Sequence, residues 1–167
     1  MRWIVTGPES SGKTTLCQEV SNLFGYEMVE EYARYYIDQL ERPYKADDLI
    51  TIADTQIMQW NMRFSSPVIF DTDLLTTMIW HQEKYNFIPK FMTDHWINQR
   101  DSFYFLCAPD LKWEPDPQRE NPGDRDRLFA KYFHYLNSYG KSFKVISGLG
   151  EERIKKASEF ISKYSGK

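Results

Sequence analysis

Apolar residues recur along this chain with two different periods, and their alternation predicts the architecture. Runs such as Trp3-Ile4-Val5, Val68-Ile69-Phe70 and Phe103-Tyr104-Phe105-Leu106 are short and uninterrupted. That is the signature of strands buried on both faces. Strands are predicted over residues 2–6, 26–30, 67–71, 102–107 and 143–147. Between them the apolar positions fall three or four apart. Leu49, Ala53, Ile57, Trp60 and Phe64 mark a helix over 46–64, with Asp47 or Asp48 as its cap; Ile154, Ala157, Ile161 and Tyr164 form the core stripe of a last helix over 151–164. Further helices are expected over 15–24, 31–40, 74–84, 89–98 and 125–139, with Pro89 suited to a first helical turn. Five short strands separated by helices imply an α/β fold with a parallel five-stranded sheet and helices on both faces. Ligands of such a sheet sit beyond the carboxyl ends of its strands. The polar segment over about 109–127 contains Pro109, Pro115, Pro117 and Pro122 and reads as a functional loop. No repeat or boundary divides the chain, so one domain over 1–167 is expected.

Composition narrows the class of function. Hydrophobic residues make up 41% of 167 and charged residues 27%, a globular balance, and the formal charge of −3 argues against a general nucleic-acid or anionic-membrane surface. No apolar run approaches a membrane span, and the first strand begins at residue 2, so no signal peptide is expected. A cytoplasmic location follows from these expectations. Cys17 and Cys107 are read as reduced core thiols, and His81, His95 and His134 are too scattered for a metal cluster, with surface or interface packing expected of the first two. Aromatic residues reach 16%; most are expected in the core, while some can line a site for a flat ring. Nothing in the pattern selects an oligomeric state.

Candidate chemistry begins at Gly7-Pro8-Glu9-Ser10-Ser11-Gly12-Lys13-Thr14, which fits G-x-x-x-x-G-K-[ST] between a predicted strand and a predicted helix. The strand–loop–helix setting is the one this P-loop requires. Its glycines let the backbone wrap closely, so the amides of Gly7, Glu9, Ser10, Ser11, Gly12, Lys13, Thr14 and Thr15 are candidate ATP phosphate ligands. Lys13 brings a positive charge to the β- and γ-phosphates, and the Thr14 hydroxyl is placed to ligate Mg²⁺. The strand ending at Asp71 supplies the second anchor, a carboxylate for the same metal. Asp73 either caps the following helix or binds a substrate hydroxyl.

Glu30 or Glu31, at the end of the second strand, is placed to orient an acceptor hydroxyl and take its proton. An acidic helix start gives the same pattern. Arg34 lies one turn on and suits phosphate or substrate. In the 109–127 loop, Arg119, Arg125 and Arg127 suggest an arginine-rich lid over the phosphates, with Arg127 a further ATP ligand. Ion pairs with Asp116, Glu120, Asp124 and Asp126 compete for them.

The motifs Gly7 to Leu16, Glu31-Tyr32-Ala33-Arg34, Asp71 to Thr77 and Asp116-Pro117-Gln118-Arg119 together resemble the ribosylnicotinamide kinase domain of NadR-type proteins, across essentially the whole chain. The resemblance implies a nucleoside/nucleotide-kinase-like P-loop fold and ATP- and Mg²⁺-dependent phosphorylation of the 5′-hydroxyl of nicotinamide riboside to nicotinamide mononucleotide. Catalytic roles are expected of Lys13, Glu31, Asp73, Arg119 and Arg125, and substrate contacts of Glu31, Arg34, Tyr35, Asp73, Trp113 and Asp116. Two departures stand out. NadR proteins usually carry an adenylyltransferase domain ahead of the kinase, and these residues leave no space for one; Pro117 also stands where Asp-Gly-x-Arg is the expected lid pattern. The cationic pyridinium of nicotinamide riboside favours aromatic faces and carboxylates, and Tyr35, Tyr36, Trp80 and Trp113 lie near Glu31, Asp71, Asp73 and Asp116. Two rival readings are a kinase for another nucleoside, such as a deoxynucleoside, and an ATP-dependent regulatory module that is not a kinase.

Overall fold

The computed structural model describes residues 1–115 and 123–165. Five strands, β1 (Arg2–Thr6), β2 (Glu27–Val29), β3 (Val68–Asp71), β4 (Ser102–Cys107) and β5 (Phe143–Ile146), form one sheet in the order β2-β3-β1-β4-β5. Every pairing is parallel, with Ile4 opposite Phe70 on one side and Tyr104 on the other. The described residues also form the helices α1 (Lys13–Phe24), α2 (Tyr32–Asp38), α3 (Ala46–Trp60), α4 (Leu74–Tyr85), α5 (Lys90–Asn98) and α6 (Arg125–Ser138) between the strands, and α7 (Glu151–Ser165) after the last.

Side chains of successive strand residues point to opposite faces, and this divides the interior in two. Trp3, Val5, Ile69, Phe103, Phe105 and Cys107 face α1 and α7, meeting Leu16, Cys17, Val20, Ala157 and Ile161. Ile4, Phe70, Tyr104 and Leu106 face the other way, against Ala53, Leu74, Met78, Trp96, Leu128 and Leu136 of α3 to α6. The first layer is an aromatic stack: Trp3 lies parallel to Phe105 at 5.6 Å between centroids, and Phe103 to Phe160 at 4.3 Å. Much of the aromatic content is thus spent on the core. Cys17 and Cys107 are both buried and free in that layer.

The main departures from the predicted elements are at their ends. Helix α3 stops at Trp60, with Asn61 closing it, yet Phe64 still reaches the core from the following loop and meets Phe70 edge-on at 5.9 Å. The apolar period continued although the helix did not. Asp48 is not the first residue of α3 but its third: its carboxylate reaches back to the Lys45 N–H at 2.7 Å while Arg42 pairs with it. Pro89 is the cap of α5 rather than part of its first turn. His81 is buried, not at the surface; its Nδ1 bonds to the Phe87 carbonyl oxygen at 2.8 Å and pins the turn after α4.

Candidate active site

The loop 7–14 leaves β1 at the carboxyl edge of the sheet and enters α1 at Lys13. Its shape depends on two glycines. Gly7 has φ +138°, and a Cβ there would stand 2.7 Å from the Cys107 carbonyl oxygen; Gly12, at φ +74°, closes the loop against Leu111. Lys13 Nζ and Ser11 Oγ both donate to the Pro8 carbonyl, at 2.9 and 2.7 Å. The lysine is therefore held over the loop it serves.

Next to it, β3 ends in Asp71, which is 3% exposed. The Thr14 hydroxyl hydrogen-bonds to this carboxylate, while its Oδ1 has no hydrogen-bond partner among the described residues. Burial pushes the Asp71 carboxyl up, against the pull of Thr14, Lys13 and Arg34. A buried carboxylate with an open oxygen beside a threonine hydroxyl is a hard-oxygen donor pair. It suits Mg²⁺, which is commonly held by one or two protein oxygens together with substrate phosphates and water.

Glu31 is the N-cap residue of α2, but its side chain makes no capping hydrogen bond. Burial raises its carboxyl to about 6, opposed by Lys13 and Arg34 and reinforced by Asp71 and Glu9. An acidic residue at this helix start also suits the helix dipole. A cleft of about 330 Å³ brings the loop from Gly7 to Thr15 together with Glu31 and Arg34. Its opposite wall comes from Thr76, Ile79 and Trp80 of α4 and Leu128 and Tyr132 of α6, and a third side from Leu111, Lys112 and Glu114. Tyr132 and Thr76 are joined by a 3.3 Å hydrogen bond, which sets the back of the cleft.

Other expected site residues lie elsewhere. Asp73 is 4% exposed and outside the cleft lining: its Oδ1 caps α4 through the Leu75 N–H at 3.2 Å, and its Oδ2 accepts the Tyr104 hydroxyl at 2.7 Å. Thr72, at φ +68°, turns the chain between Asp71 and Asp73. The capping alternative describes Asp73, and both its oxygens are occupied within the fold. Tyr35 is 64% exposed and does not line the cleft. Trp113 sits under Arg125, whose guanidinium lies 5.7 Å from its ring centroid. Arg125 donates to the Ser10 and Leu111 carbonyls at 3.1 and 2.9 Å, tying the loop 7–14 to the segment after β4. Arg127 pairs with Glu83 at 2.5 Å and Asp124 at 2.7 Å, fastening α6 to α4 as the ion-pair alternative describes. Asp116 and Arg119 lie outside the described residues.

Asp73 makes a prediction of its own. Burial lifts its carboxyl to about 6 from 3.8, so the folded chain holds a proton that the unfolded chain has released between pH 4 and 6. Stability then falls as pH rises through that window, by at most about 3 kcal/mol from this group. Asp73→Asn should flatten this slope, seen as a smaller difference between unfolding free energies measured by urea at pH 4.5 and pH 7. An unchanged slope would assign the buried proton elsewhere.

A family model described as an AAA domain matches residues 2–153. The chain belongs to this AAA domain family. Its likeness to NadR-type proteins also stands in the comparisons. The trifunctional NAD biosynthesis/regulator proteins NadR of Salmonella typhimurium and Escherichia coli are each 32% identical over 80 residues, which is 44% of this chain and 20% of theirs. The match therefore spans about a fifth of those relatives' length. A crystal structure of NadR protein in complex with NR superposes with TM-score 0.82 at 19% identity, over 99% of this chain and 52% of that one. Deoxyadenosine kinase from M. mycoides follows at TM-score 0.64 and 17% identity, over 98% and 100%. This AAA domain has the fold of the P-loop nucleoside and nucleotide kinases.

Proposed function

We propose that this protein is an ATP- and Mg²⁺-dependent nucleoside kinase that phosphorylates the 5′-hydroxyl of nicotinamide riboside to give nicotinamide mononucleotide. The observation that carries the reading is Glu31: a carboxylate raised to about 6 shares one cleft with Lys13 and the loop 7–14. In the reaction, Glu31 orients the acceptor hydroxyl and takes its proton late in the transfer. The hydroxyl oxygen forms a bond to the γ-phosphorus, the bond from that phosphorus to the β–γ bridging oxygen breaks, and ADP leaves. The loop amides and Lys13 gather the negative charge on the phosphates, and Arg34 lies within reach of both partners. Thr14 and Asp71 would hold Mg²⁺, which neutralises charge between the β- and γ-phosphates.

The acceptor half is the wall of Ile79, Trp80, Leu128 and Tyr132. Two aromatic faces beside a carboxylate suit a flat cationic ring better than a neutral base. The relatives point the same way, since they are described as NAD biosynthesis proteins and the superposed NadR structure binds NR. The working compartment in this reading is the cytoplasm; no helix of the described residues is long and apolar enough to cross a membrane.

Incubation with Mg-ATP and one nucleoside at a time, followed by ³¹P NMR, tests the proposal. A new phosphomonoester should form with nicotinamide riboside and not with deoxyadenosine or deoxycytidine. Preferential phosphorylation of a deoxynucleoside would replace the acceptor and keep the kinase. ADP formation at one slow rate, whatever nucleoside is present, would replace the kinase with a regulatory ATPase.

A further inference from the structure

We infer that Arg153 and Asp110 form a clamp behind the loop 7–14 that aims its backbone amides, which makes Arg153 a positioning residue for the triphosphate. The inference rests on the reading of this loop as the phosphate site. Arg153 lies in the first turn of α7, four and eight residues before Ala157 and Ile161 on that helix's buried stripe, and is itself 4% exposed. A cation at such a position requires a full set of acceptors. Nη1 donates to the Ser11 carbonyl at 2.6 Å, Nη2 to the Ala108 carbonyl at 2.7 Å, and Nε to the Gly148 carbonyl at 2.7 Å. These oxygens belong to three separate loops: the one entering α1, the one leaving β4 and the one leaving β5. Nη2 also pairs with Asp110, whose other oxygen accepts the Gly148 N–H at 2.7 Å. One ion pair thus grips Gly148 by both its amide and its carbonyl and fastens the two outer loops to the central one.

The consequence follows from peptide geometry. In a trans peptide the C=O and the next N–H point in opposite directions. Drawing the Ser11 carbonyl back onto Arg153 therefore turns the Gly12 N–H the other way, and Gly12 lines the cleft. The same device repeats along the loop. Arg125 holds the Ser10 carbonyl, and Lys13 and Ser11 hold that of Pro8, which turns the amides of Ser11 and Glu9 away from those tethers. Amides fixed before the anion arrives need no reorganisation when it binds. Arg153 does this from outside the cleft lining, so its effect passes through Ser11.

The test compares Arg153→Lys, Arg153→Met and Asp110→Asn with the wild-type protein, using Mg-ATP calorimetry well below each protein's unfolding midpoint and steady-state kinetics. Arg153→Lys keeps the charge but loses the planar fork. It should remain folded and bind Mg-ATP about ten-fold more weakly, with Asp110→Asn weaker in the same direction and Arg153→Met approaching a hundred-fold. KM for the nucleoside should stay within about two-fold, since the α4 and α6 wall is untouched. Amide hydrogen exchange at residues 11–13 should quicken in the variants while β3 and β4 stay protected. ATP affinity within two-fold of wild type in both Arg153→Lys and Asp110→Asn, with both folded, would overturn the clamp. Equal losses in ATP affinity and nucleoside KM would also overturn it, because they would mean general loosening. A wild-type protein that does not bind Mg-ATP would instead remove the phosphate-site reading beneath it.

Discussion

Lys13→Ala is expected to reduce phosphoryl transfer by about 10³-fold or more while leaving the fold intact. Two losses combine. The ammonium no longer meets the charge that develops on the transferring group. Lys13 also holds down the carboxyls of Glu31 and Asp71, so its removal lets both rise further and weakens the anionic base of the cleft. Stability should change little, because the buried residues of α1 are Leu16, Cys17 and Val20, while the Lys13 side chain bonds to the Pro8 carbonyl. A coupled ADP assay and a thermal melt separate the two quantities. Asp71→Ala should give a loss of the same order that added Mg²⁺ does not restore. A fully active Asp71→Ala protein would remove the metal assignment.

Glu31→Gln has the second largest expected effect, a fall in kcat of about 10² to 10⁴-fold, the usual contribution of a general base. The amide keeps the size and hydrogen-bonding reach of the carboxylate but cannot take the proton. The pH profile makes the assignment specific. With a carboxyl raised to about 6, wild-type kcat/KM should fall tenfold per unit below that pH and level off above it. In Glu31→Gln this acid limb should vanish from the residual rate. A variant that keeps the limb would pass the base role to another carboxylate.

Most of the fold was legible because its signals are local. The three central strands β1, β3 and β4 are built on short apolar runs, the loop 7–14 carries its own glycines, and Asp71 stands where a buried strand ends. The boundaries that slipped did so where tertiary contact overrode a local pattern, as when Phe64 reaches Phe70 from a loop instead of from the helix its spacing implied. The site was legible in part. Glu31 and the loop do share one cleft, whereas Asp73 stayed open between helix cap and substrate ligand, because its second partner, Tyr104, is 31 residues away. Tyr132 and Ile79 carry no motif, since their value lies in the wall they share. Arg153 did leave a trace: it continues the 157–161 stripe toward the start of α7, where an apolar residue belongs. A cation placed on such a stripe signals a buried ligand for carbonyls.

The period-two division of the sheet has a consequence for how such an enzyme changes. The helices that follow the phosphate loop and carry its clamp, α1 and α7, are rooted in the Trp3 layer, whereas the α4 and α6 wall is rooted in the Ile4 layer. The sheet stands between them as a firm partition. Substitutions that refit the Leu74 and Met78 side can reshape the α4 part of the wall away from α1 and α7, whereas α6 reaches the loop 7–14 directly through Arg125. In the proposed reading, what α4 contributes to acceptor choice is thereby separable from the machinery of transfer.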